Sequence, residues 1–154
     1  GQYINEVIPF VYDGSDLTEL PDLDSRWVWE TWPVDDEHGL ISAVKFGFGS
    51  LTHETYLLEP GGAIDDLGEF EEETLVDAFE VAPGEWILLS REGHIYGDEP
   101  GTAHRVLFTD DFNDYHLLTT FEADDAWPVS VGYYGGYLFL GLDDGEIWRA
   151  EVER

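Results

Sequence analysis

The sequence predicts an all-β fold built of propeller-like blades of antiparallel strands. Three observations predict it. Short apolar runs alternate with Gly-rich turns, one strand–turn–strand stretch recurs, and only one segment has a helical pattern.

The strands follow in chain order. Arg26-Trp27-Val28-Trp29-Glu30-Thr31-Trp32 has the alternation of a half-buried strand. Leu40 to Phe48 is rich in β-branched and aromatic residues, and Gly47 and Gly49 predict a bend. Thr55-Tyr56-Leu57-Leu58 runs into the turn Pro60-Gly61-Gly62. Ala63 to Val81 is either a short helix or a long acidic loop. Leu75 and Phe79 sit four apart behind Glu71-Glu72-Glu73, acids that suit a helix N-terminus. Trp86-Ile87-Leu88-Leu89 follows Pro83-Gly84, and Tyr137-Leu138-Phe139-Leu140 follows Gly135-Gly136.

The last two runs belong to a repeat. Gly84 to Tyr96 aligns with Gly135 to Trp148, each a strand, a tight turn and a strand closed by an aromatic. Trp86 and Tyr137 are 51 residues apart, and a looser third copy starts near Ser42. Periods of ~40–50 residues suit four-stranded blades. A second pair, Phe10 to Leu20 and Leu107 to Leu118, shows a strand, an acidic turn and a strand ending in leucines. Thr109, Asp111 and Tyr115 in the later copy resemble the Asp-box hairpin of sialidase-like propellers. Asn113 replaces its glycine, and no Thr precedes Tyr115.

These pieces divide one β domain, residues 1–154, into blade units 24–70, 71–121 and 122–154, with 8–20 as the closing strand. Three blades do not close a ring, since propellers typically have about 4–8. The expectation is a partial propeller completed by oligomerisation, for example two chains making six blades. The alternative is a β-sandwich or jelly roll.

Charge narrows the partners. Asp and Glu total 35 against 6 Lys and Arg, a net charge of -29, while 15% of residues are aromatic and 43% hydrophobic. The apolar content separates the chain from acidic disordered tails. Like charges repel over a Debye length of ~10 Å at 0.1 M salt and only ~3 Å at 1 M. Lys45 is the single lysine. The combination resembles proteins of extreme halophiles, haloarchaea above all. Six scattered basic residues form no face for nucleic acid or for an anionic membrane surface. No apolar run approaches the ~20 residues of a membrane span, and Gln2 to Phe10 lacks the basic start of a signal peptide. With no cysteine, disulfides and thiolate metal sites are excluded.

Catalytic signals are sparse. A glycosidase needs two carboxyls ~5–10 Å apart, a test that 35 acids pass by chance. His38, His53, His94, His104 and His116 show no helical zinc spacing. No Gly-x-Ser-x-Gly and no P-loop occurs. No cofactor is required on this reading. The acidic turns offer oxygen ligands to Ca²⁺, Na⁺ or K⁺, with Asp110, Asp111, Asn113, Asp143 and Asp144 as the candidates. Trp27, Trp29, Trp32, Trp127, Tyr133 and Tyr134 exceed what one small core needs and are the candidate interaction residues.

Ile8 to Leu20, with Tyr12-Asp13-Gly14-Ser15 between two strands, resembles a phrase of tail and fibre proteins of tailed viruses, with Leu17 where those often have Trp. Together with the halophilic composition, the resemblance implies a non-enzymatic virion protein of a haloarchaeal virus. It would act as spike, turret, fibre or baseplate component, in a homo-oligomer with other virion proteins, and in attachment to a host surface glycan or glycoprotein. The alternatives are a cellular propeller-type protein- or glycan-binding module, located in the haloarchaeal cytoplasm, and a sialidase-like glycan hydrolase.

Overall fold

The computed structural model describes residues 10–12, 17–19, 23, 26–35, 38–46, 51–59, 62–70, 73–92, 103–122 and 126–152. The Gly47–Gly49 bend, the acidic turn at 13–16 and the second strand of the first repeat copy, with His94 and Tyr96, lie outside them. The chain is all-β, and every strand pairing is antiparallel. Among the described residues no helix is long and apolar enough to cross a membrane. Two units divide the chain, Gly1–Glu71 and Glu72–Arg154.

In the first unit, β1 (Phe10–Tyr12) and β2 (Leu17–Glu19) form a sheet of their own, with Phe10 opposite Glu19. A four-stranded meander follows: β3 (Arg26–Pro33), β4 (Gly39–Phe46), β5 (Leu51–Leu58) and β6 (Ile64–Asp66), in that spatial order. Short hairpins dictate the order, because each strand pairs with the one its turn delivers. Residues Leu40 to Val44 of β4 are buried on both faces of the sheet. On one face Ile41, Ala43 and Tyr56 pack with Leu23, flanked by Val28, Leu58 and Ile64.

The second unit repeats the meander with β7 (Glu73–Ala82), β8 (Glu85–Glu92), β9 (Ala103–Thr109) and β10 (His116–Glu122). A three-stranded sheet follows: β11 (Pro128–Tyr134), β12 (Tyr137–Leu142) and β13 (Ile147–Glu151). Two-residue turns join the leading strands of each sheet. Pro83-Gly84 places proline's fixed φ before a glycine at φ 77°, and Gly135 and Gly136 take φ 61° and 86°. Both φ values of the second turn suit the primed turns that match strand twist. The aligned strands of the repeat, β8 and β12, therefore occupy the same place, second in their sheets, as does β4 of the looser copy.

The two sheets of this unit share one core. Ile87, Leu89 and Val106 from one meet Val131, Leu138 and Leu140 from the other. Burying such side chains contributes roughly 1.5–3 kcal/mol each. A polar bond adds direction: Asp77 accepts from the Val131 amide at 2.8 Å and from the Ala78 amide at 2.9 Å.

The helix expected as one option for Ala63 to Val81 does not form. The segment holds β6, a 3-10 turn at Gly68–Phe70 and all of β7 but its last residue. Leu75 is fully buried, yet Phe79, four residues on, is exposed. Residues four apart share a face in a helix and in a regular strand alike, and the bulge between Leu75 and Asp77 sends Leu75 and Phe79 to opposite faces. Pairing with β8 decides the outcome, as tertiary contacts override a weak local preference.

Leu89→Ala is expected to cost about 2–5 kcal/mol in urea unfolding at high salt. Leu117→Ala on the exposed side of β10 should stay within about 0.5 kcal/mol.

Candidate interaction surface

The chemistry of the surface starts with where the scarce cations go. Arg26 Nε donates to Glu54 Oε2 (2.5 Å) and to the Tyr56 hydroxyl (2.8 Å), and that hydroxyl donates to the same carboxylate oxygen. Lys45 Nζ stands 3.8 Å from Glu54 Oε1. Burial pulls the Glu54 carboxyl upward, but the bonds from Tyr56 and Arg26 and the two nearby positive charges outweigh it, so the net shift is down. Burial and the carboxylate push the Tyr56 phenol up. In the second unit Glu73 accepts from Ser90 Oγ (2.6 Å), and Arg105 Nε reaches its Oε1 at 2.7 Å. Arg91 lies over the Trp127 ring (5.2 Å) and Arg149 over Tyr137 (4.8 Å). Each of the five described basic side chains is thus spent on a neighbour.

The acidic turns spend their oxygens likewise. Asp111 Oδ1 accepts from the amides of Asn113 and Asp114, both at 2.9 Å. Those bonds, Asp114 first, hold its carboxyl below the usual range. Thr109 Oγ1 accepts from the Phe112 amide at 3.0 Å, and the Tyr115 hydroxyl donates to the Phe112 carbonyl at 2.8 Å. Phe112 itself adopts φ 57° and packs against Trp86. Asp143 Oδ1 accepts from the Trp127 amide and Asp144 Oδ1 from the Glu146 amide, each at 2.9 Å. Asp110 is exposed beside this hairpin. Among the described residues no three His, Asp or Glu side chains converge as a metal ion requires. Four of the five cation candidates bond to backbone groups: Asp111, Asn113 and Asp144 within their own turns, and Asp143 to the Trp127 amide sixteen residues back.

The candidate aromatics separate into three settings. Trp27 and Trp29 are exposed on the edge strand β3, their rings edge-on at 6.0 Å, while Trp32 is half-buried opposite Leu40. Trp127 is half-buried under Arg91. Tyr133 and Tyr134, neighbours in β11, point to opposite faces. Tyr133 lines a cleft of about 450 Å³ with Ile87, Phe108 and Leu118, where Glu85 and His116 supply the polar lining. Tyr134 is 82% exposed on the other face.

That outer face of the β11–β13 sheet is the surface most unlike the rest. β12 reads Tyr-Leu-Phe-Leu-Gly-Leu, apolar at every position, a pattern suited to a strand covered on both sides. Leu138, Leu140 and Leu142 are buried, whereas Tyr137, Phe139 and Gly141 are only half-buried. Cross-strand register adds Tyr134 beside Tyr137 and Ile147 beside Gly141 to the same face. Ile147 is 73% exposed. A Cβ at Gly141 would meet Ser130 Oγ at 2.5 Å, so a larger residue there makes the Ser130 side chain turn aside. On the inner face Trp148 meets Phe121 edge-on at 4.6 Å. Sequence reasoning missed Tyr137, Phe139, Ile147 and Trp148. The unbroken apolar run of β12 was the available signal.

At the β3–β4 connection His38 Nδ1 lies 2.8 Å from Asp35 and Nε2 3.2 Å from Glu59. The Asp35 bond raises its pKa above the ordinary 6.5 against the opposing pull of burial, and the negative charges of Asp35 and Glu59 add to the rise. His38 is expected to titrate in NMR with a midpoint above 6.5. Its contribution is complete below the unfolded pKa and fades as pH rises through the folded one. Glu54→Gln should cost about 1 kcal/mol at neutral pH, a hydrogen-bonded ion pair discounted for partial exposure. The wild-type advantage is present above the unfolded carboxyl pKa and disappears as pH falls through the lowered folded value, in urea unfolding followed against pH. Compared with protein-family models, curated proteins and solved structures, the chain matches none.

Proposed function

We propose that this protein is a non-enzymatic structural protein that assembles in very high salt, as a spike, turret, fibre or baseplate component of a virus infecting extreme halophiles. The observation that carries the reading is the β11–β13 sheet. It leaves an apolar, aromatic face open in a chain of net charge -29. Apolar surface of this kind marks interaction sites, and the surrounding carboxylates tolerate a second acidic chain only where salt screens them. On this proposal the successive antiparallel meanders are blades of a partial propeller, and other copies complete it. The viral setting draws its support from the opening segment, whose two described strands, Phe10–Tyr12 and Leu17–Glu19, pair antiparallel. The exposed Trp27 and Trp29 supply the surface for host attachment, since aromatics dominate both protein and glycan recognition.

Sedimentation velocity tests the assembly. Discrete oligomers are expected in molar NaCl, with dissociation on dialysis to millimolar salt, and a monomer at every salt concentration contradicts the proposal. Genes flanking the coding sequence test the setting: capsid, portal or tail genes are expected, and a run of metabolic genes contradicts it.

A further inference from the structure

Proteins keep the outer strands of their sheets from pairing with other chains by making them short, bulged or proline-bearing. The outer strands here follow that rule with one exception. β3 is bulged after Val28 and ends in Pro33, β7 is bulged twice, β10 is bulged after Leu117 and β11 after Pro128. β6 has three residues. Among the described residues, β13 is the one outer strand of the three- and four-stranded sheets that is regular over five residues with no bulge or proline, and its charges, Arg149 and Glu151, are of opposite sign.

Its free edge can be read from the hydrogen bonds. The Val152 amide donates to the Gly136 carbonyl at 3.1 Å, and the Leu142 amide to the Glu146 carbonyl at 2.9 Å. Residues 146, 148, 150 and 152 therefore turn their backbone groups toward β12. By alternation, Ile147, Arg149 and Glu151 turn theirs outward. All five side chains of β13 are exposed.

We propose that β13 pairs antiparallel with β13 of a second copy about a two-fold axis at Ala150, joining two three-stranded sheets into one. This adds an edge contact to the self-assembly proposed above through the apolar face, and it rests on that reading. Charge selects the register. Centring on Ala150 sets each Arg149 opposite the partner's Glu151, twice by symmetry, as a two-fold interface demands. Centring on Arg149 opposes the two arginines, which is unfavourable for directly facing cross-strand residues. Centring on Trp148 leaves Arg149 opposite Ile147. The favoured register also places the small Ala150 pair at the axis, where non-hydrogen-bonded partners approach closest, at about 4.5 Å between Cα atoms.

The test uses the full chain in molar NaCl. The wild type is expected to dimerise or form higher oligomers built on that dimer. Glu151→Pro removes an outward amide without touching a bond to β12, so it should abolish the β13 pairing while the circular dichroism spectrum stays unchanged. The chain has no cysteine, so Ala150→Cys alone should give an intermolecular disulfide on mild oxidation, its Cα separation being within disulfide reach. Arg149→Cys should cross-link far more slowly. An oligomer that survives Glu151→Pro intact overturns the edge but leaves self-assembly standing. Faster cross-linking through Arg149→Cys than through Ala150→Cys overturns the register. A wild type that stays monomeric overturns both the edge and the reading it rests on.

Discussion

The governing constraint is an excess of negative charge with almost nothing to neutralise it. Thirty-five acids against six bases leave a chain that repels itself, so folding depends on apolar strands buried deeply enough to offset that repulsion. β4 and β8 meet the demand, each lined by consecutive buried residues from both faces. The polar economy follows the same logic. Described bases bind one acid cluster each or stack on a ring, and turn carboxylates accept backbone amides instead of standing against one another.

Against this background the β11–β13 sheet is an anomaly. β12 has the apolar composition of a doubly buried strand but one covered face, and β13 has the regularity of an inner strand but one paired edge. A chain that guards its other outer strands with bulges, brevity or proline leaves this face and this edge open. Self-association through them is the reading in which composition, register and exposure agree.

Much of the fold was legible because turns and apolar runs are local. Pro83-Gly84 and Gly135-Gly136 announced the hairpins that open β8 and β12, and the repeat brought equivalent strands into alignment. Ala63 to Val81 misled because bulges shift side-chain alternation, and pairing partners are not visible in a single segment. The surface was harder to read. Tyr133 and Tyr134 looked alike in sequence, but strand alternation sends one into a cleft and the other into solvent. Asp111 and Asp143 carried the residue type of a cation ligand, and only the positions of neighbouring amides show how those oxygens are used. Ile147 and Trp148 were legible as the closing strand of the repeat but not as surface, because exposure of a short strand depends on which strand lies beside it.

The claim that charge repulsion is the force the fold must overcome is tested most directly by the free energy of urea unfolding as a function of NaCl concentration. Urea is uncharged and leaves screening under the experimenter's control. Stability should rise steadily from millimolar to molar salt as the Debye length contracts. A stability that is flat or falls across that range would contradict the account.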